Sequence, residues 1–222
     1  VLNAGRSDAH KPFLTDFLDG ISRAASEESW TLTVATALDE TDEVATLARL
    51  VDERKVDGFI LPRTRLHDPR IDLLRERGVP FILYGRTADP TDCAWFDIAS
   101  EDAMAAAVDR LHAAGHWRIG FINGGTDYTY ASLRRDGFLN AMTRLCLPTP
   151  SDLRVENVLT VPEGEVAGLR LLDLPEPPTA IVCALDLAAL GLYRAALRAG
   201  RRVGRDLAVI SYDGIPEAAN VE

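Results

Sequence analysis

Short, uninterrupted apolar runs recur along this chain, and between them apolar residues return every three or four positions. Runs of the first kind, at residues 58–61, 79–84, 118–123, 180–184 and 207–212, read as strands covered by helices on both faces, because a strand with one wet face would alternate. The second kind predicts amphipathic helices. Residues 8–26 carry Phe13, Phe17, Leu18, Ile21 and Ala25 on one stripe, and a helix opens at Thr41 with Asp42 and Glu43 in its first turn. Further helices are expected at 71–77, stopped by Gly78, at 100–115, 130–145 and 164–172, and between the last two strands. Weaker runs at 1–4, 30–35 and 155–160 are read as strands as well. Strand and helix alternate throughout, which is the signature of parallel sheets. Only residues 87–99, with Pro90, Trp95 and Phe96, break the rhythm, and the alanine-rich helix after them reads as a bridge. The expected fold is α/β, with two similar three-layer lobes built on parallel sheets, residues 1–115 and 116–222.

Composition narrows the function. With 47% hydrophobic and 26% charged residues the chain can bury a core. No apolar run reaches the roughly 18 residues needed to span a bilayer. The net charge of −10 has the wrong sign for a surface that neutralises phosphates, so this stretch by itself is not expected to bind DNA. Cys93, Cys146 and Cys183 are odd in number and widely spaced, which argues against a disulfide framework or zinc site and for a reducing, cytoplasmic setting. The pattern starts at Val1 already under way and stops nine residues after Asp213, so pieces at both ends are expected to be missing.

Catalytic and metal signatures are weak. His112 and His116 stand four apart, but Gly115 between them is expected to end the helix, and no further ligand completes a site. Gly124 and Gly125 follow a strand without a phosphate-loop or dinucleotide pattern, and a turn accounts for them. No nucleophile elbow is present, and no serine or cysteine is placed beside a histidine base. No enzyme activity, metal or cofactor is therefore expected. Asp97, Glu101 and Asp102 flank a helix start, where capping and the helix dipole suit them. Arg134 and Arg135 come early in a helix that follows a strand end. There a guanidinium gives forked hydrogen bonds to a hydroxyl-rich or anionic ligand, or else simply stands in solvent. Asp186 and Asp213 each follow the carboxyl end of a buried strand, where open α/β sheets bind ligands.

Several segments together resemble the effector-binding core of the lactose-repressor (LacI/GalR) family of bacterial transcription regulators, itself similar to type I periplasmic sugar-binding proteins. They are KPFLTDFLDGISRAA, VDGFILP, VPFILYGR, FDIASEDAMAAAVDRLHAAGHWRIGFING, SLRRDGFLNAM and the run from Pro178 to Gly214, in that order across nearly the whole chain. The resemblance implies ligand hydrogen bonding by Arg134, three residues before Gly137, and by Asp213 in SYDG. It implies a polar contact from Asp102 and an apolar one from Phe13, with Tyr128 as a further aromatic cover. Where the family carries Asn-Asp after the strand, this chain has Leu185 and Asp186, so one amide contact is lost; Asp186 reads as a ligand contact or as a helix cap.

The function implied is that of an effector-sensing core which binds a small polar metabolite, a sugar first among them, in the cleft between two lobes. Operator DNA would be contacted through a helix-turn-helix absent from this chain, in a homodimer, without membrane association. A C-terminal segment that returns to the first lobe is also expected to be absent. The alternative is an exported solute-binding receptor of a transport system on the same two lobes.

Overall fold

The computed structural model describes the backbone of residues 2, 3 and 12–214, and side chains from Leu14 onward. The chain divides into two units, residues 1–97 and 98–222. Every strand pair in both is parallel, as the continuous apolar runs require.

Unit 1 runs β1 (Leu2–Asn3), α1 (Pro12–Glu27), β2 (Thr36–Ala37), α2 (Glu40–Asp52), β3 (Phe59–Pro62), α3 (Pro69–Arg77), β4 (Phe81–Tyr84) and β5 (Ala94–Phe96). Its strands form two sheets, β1-β2 and β3-β4-β5. Leu61 and Leu83 turn inward from neighbouring strands onto Leu47 and Leu50 of α2 and Ile71 and Leu74 of α3. Helix α3 shows how local sequence sets its limits. The Asp68 side chain accepts from the Arg70 backbone amide, Pro69 fits the first turn, and Gly78 closes the helix at φ +62°.

Unit 2 runs α4 (Ser100–Ala113), β6 (Ile119–Ile122), α5 (Thr129–Arg144), β7 (Arg154–Val155), α6 (Val161–Leu172), β8 (Ala180–Cys183), α7 (Asp186–Arg198) and β9 (Ala208–Ser211). One sheet, ordered β7-β6-β8-β9, carries helices on both faces. Met104, Val108, Phe121, Phe138 and Val182 pack on one side, and Ile122, Leu171, Ile181, Ala188 and Leu192 on the other. This is the three-layer arrangement the apolar runs imply. Helices α6 and α7 cross with their backbones touching, since a Cβ on Gly164 or Gly191 would fall inside the backbone of the facing helix.

Helix α4 packs in unit 2, where Met104, Val108 and Leu111 belong to the core around Phe121 and Phe138. Three expectations need correction. Residues 30–35 are not strand: β1 contributes Leu2 and Asn3, which pair with Thr36 and Ala37, and Trp30 and Val34 stay exposed. The expected strand at 155–160 shrinks to Arg154–Val155, held by β6 alone, and Asn157 turns away at φ +62°. Conversely, the irregular stretch after residue 87 contains β5, which pairs along β4 from Ile82 to Tyr84.

Candidate functional site

Helix α5 begins at the carboxyl end of β6 and carries Arg134 one turn in, on its buried side; the residue is only 5% exposed. Gly137 explains how the helix can sit there. A Cβ at that position would penetrate the Glu101 carbonyl, so bare backbone lets α5 meet the first turn of α4. Arg134 Nη1 donates to the Ala184 carbonyl at the end of β8. Its guanidinium carbon lies 3.5 Å from the centre of the Tyr212 ring and 5.0 Å from that of Tyr130. Tyr130 in turn stacks on Tyr128 at 5.6 Å. Side chains from two different segments thus enclose one cation, each ring face favouring it electrostatically. Arg134 Nε remains buried without a hydrogen-bond partner among the described residues.

Two carboxylates join this cation. Asp186, 6% exposed, opens α7 and accepts from the Ser211 hydroxyl through Oδ1, while its buried Oδ2 has no partner among the described residues. Asp213 follows β9. Protein atoms crowd its carboxyl although the residue as a whole is exposed: burial pushes its pKa above the usual carboxylate range, Arg134 pulls it back, and Asp186 pushes it up again. Burial also raises the Cys183 thiol, with the Asp186 charge adding to the effect, so Cys183 is an inert core residue. Beside the cluster, Asn123 at the end of β6 donates to Ala131 O and Glu156 Oε2 while its Oδ1 is unpartnered among the described residues.

The expected residues are brought together unevenly. Arg134, Asp213 and Asp186 form one electrostatic group, and Tyr128 extends its aromatic side. Asp186 is not a helix cap: Leu185 holds that position without a side-chain bond, and the Asp186 carboxylate faces Ser211. Asp102 is exposed in the first turn of α4. The Phe13 side chain lies outside the described residues. Arg135 bonds Ser132 and is half-buried at the surface. Gly124 and Gly125 have no positive φ; they make room for the Tyr130 hydroxyl and the Tyr128 ring, which a Cβ would meet at 2.7 and 3.1 Å. Sequence reading missed Tyr130, Tyr212, Ser211 and Asn123. The spacing of Tyr130 and Arg134, one helical turn, was the available signal for the first.

A second group of buried charge lies in unit 1, and every oxygen of its two carboxylates accepts from a neighbouring arginine, while Arg65 Nη1 stands 3.9 Å from Asp68 Oδ1. Arg70 Nη1 meets Glu43 Oε1 at 2.7 Å, and its Nε and Nη2 grip Asp68 at 2.8 and 2.7 Å. Arg65 Nη2 takes the other Glu43 oxygen at 3.0 Å, and the Arg65 amide donates to Asp68. Burial opposes the Asp68 charge, but the bonds and charge of Arg70 and the backbone amides of Arg65 and Arg70 outweigh it and hold the pKa below normal.

Comparison with known proteins places these observations. Residues 6–220 match the family described as periplasmic binding proteins and sugar binding domain of LacI family. The chain is similar to the HTH-type transcriptional regulator AglR of Rhizobium meliloti (strain 1021), 32% identical over 94% of this chain and 58% of that protein. Among solved structures, a transcriptional regulator LacI from Bacillus cereus subsp. cytotoxis NVH 391-98 covers 99% of this chain and 79% of its own, at TM-score 0.93 and 27% identity. A complex of the transcriptional regulator CelR with cellobiose matches at TM-score 0.85 and 29% identity, over 91% of this chain and 62% of that one. The chain therefore spans little more than half the length of the curated regulator it matches.

Proposed function

The chain belongs to the LacI family through the domain that family shares with periplasmic binding proteins, and on this premise we propose that it is the effector-sensing core of a DNA-binding transcription regulator. Its effector is a small polar metabolite, a sugar first among them, held at the strand ends of unit 2. The observation that carries this reading is Arg134: a buried guanidinium enclosed by Tyr130 and Tyr212, with an unused Nε and two carboxylates beside it. A sugar hydroxyl can accept from Nε and donate to Asp213 or Asp186 at once, and the tyrosines offer apolar faces to a ring.

The protein acts in the cytoplasm as a homodimer, without enzymatic turnover. Operator DNA is engaged by a helix-turn-helix that these 222 residues do not contain, in keeping with their charge of −10. The effector shifts the regulator between states only by the difference in its affinity for them. A transport receptor is disfavoured because the curated relative compared above is a transcription regulator. No described helix is long and apolar enough to cross a membrane.

A thermal-shift screen of mono-, di- and trisaccharides and nucleosides tests the reading. A true effector at 100 times its Kd adds about 2.7 kcal/mol to stability. Arg134→Ala is expected to abolish that response; an unchanged affinity for the best hit would remove Arg134 from the site.

A further inference from the structure

We propose that the effector carries no net negative charge, because the strand-end cluster of unit 2 favours hydroxyl or ammonium groups and disfavours carboxylates and phosphates. The inference rests on the reading that this cluster is the effector site, and goes beyond it by fixing the ligand's charge class.

The argument is one of donors, acceptors and sign. Around the end of β8 stand one cation, Arg134, whose Nη1 donates to Ala184 O, and two carboxylates, Asp186 and Asp213, with Arg134 and Asp186 both close enough to act on the charge of Asp213. Part of the cation is already committed, through Nη1 to Ala184 O and through its faces to Tyr212 and Tyr130. What remains uncommitted includes Nε, which is buried without a hydrogen-bond partner among the described residues. The carboxylates are less committed: Asp186 Oδ2 is buried and unpartnered among the described residues, with only Ser211 on its other oxygen. An anionic ligand reaching Nε would gain one attraction and meet two like charges, that of Asp186 inside the protein, where screening is weak. It would also bring no hydrogen to Asp186 Oδ2, leaving that buried acceptor unanswered. A hydroxyl satisfies both kinds of group, and an ammonium group satisfies the carboxylates. Leu185, between Ala184 and Asp186, supplies no side-chain donor with which an anion could be compensated.

Matched probes separate this inference from the reading beneath it. Binding of D-galactose, D-galactosamine and D-galacturonate, of D-glucose, D-glucosamine and D-glucuronate, and of adenosine and adenosine monophosphate is measured by calorimetry at neutral pH. In any series that binds, the neutral or cationic member is expected to bind at least tenfold tighter than the anionic one. Asp186→Asn and Asp213→Asn are each expected to narrow that gap threefold or more, and circular dichroism with urea melts confirms that both variants fold. A uronate or monophosphate that binds tighter than its neutral parent overturns the charge inference and leaves the effector site standing. A gap unchanged in both folded variants overturns it too, because the carboxylates would then not be its cause. If no probe binds and Arg134→Ala changes no response in the wider screen, the site reading falls and this inference with it.

Discussion

The two units bury charge in opposite ways. In unit 1, Arg70 uses all three guanidinium nitrogens, and both oxygens of Glu43 and of Asp68 accept from cations of the same group. In unit 2, Arg134 Nε and Asp186 Oδ2 are as deeply buried but have no partner among the described residues. A buried polar group left unanswered costs about 1–3 kcal/mol, so a fold retains such groups where something else is gained. The unit 1 cluster ties α2 and the start of α3 to the segment after β3; the unit 2 cluster is the one for which recognition is proposed. Perturbed charge alone does not single out a binding site, and the proposal rests on unanswered donor and acceptor together at one strand end.

The sharpest way to break this contrast is Arg70→Ala, which strands Glu43 and Asp68 in the interior. A loss of about 3–5 kcal/mol is expected from urea unfolding, enough to disorder unit 1. Next in size, Gly137→Ala forces α5 away from Glu101 and should cost about 1–3 kcal/mol, with effector affinity falling because Arg134 moves with its helix. Removing a group of the unit 2 cluster should cost far less: Asp186→Asn is expected to change stability by at most about 1 kcal/mol while altering ligand response, and a loss as large as that of Arg70→Ala would erase the distinction.

Acid gives a fourth test. The native pKa of Asp68 lies below its unfolded value, so its contribution is present above the ordinary carboxylate range and is lost as pH falls through the native pKa. The native pKa of Asp213 is raised, so protonating it on the way down favours the folded form, the opposite slope. Hydrogen exchange resolved by peptide should show unit 1 loosening on acidification before unit 2. Smallest of all, Asp109→Asn removes an exposed pair with Arg144 and should shift stability by no more than about 0.5 kcal/mol in a urea melt.

Strands with an unbroken apolar run were legible in the sequence: FILP, FILY, IGFI, AIVC and AVIS each appear as strands, FILP and AVIS at a sheet edge. Short edge strands without such a run were not. Arg154–Val155 and Ala94–Phe96 owe their state to a single neighbour, and their own residues, partly or fully exposed, carry no burial pattern. Within the site, Arg134 and Asp213 came from motif order, but the role of Asp186 depended on Ser211, 25 residues away and invisible to local reasoning. The unit 1 cluster was missed for a similar reason. Glu43, Arg65, Asp68 and Arg70 are residue types that usually lie at the surface, and only their convergence buries them.

The crossing of α6 and α7 bears on how such a protein can change over generations. Gly164 and Gly191 leave no room for any side chain, so mutation there is closed off, and α7, which presents Asp186, is fixed to its neighbour as one piece. On the proposed effector site, new preferences are expected to arise by exchanging residues around that rigid pair, Leu185 and Tyr128 among them. Anyone retuning the protein as a biosensor should randomise those two positions and leave the glycines alone.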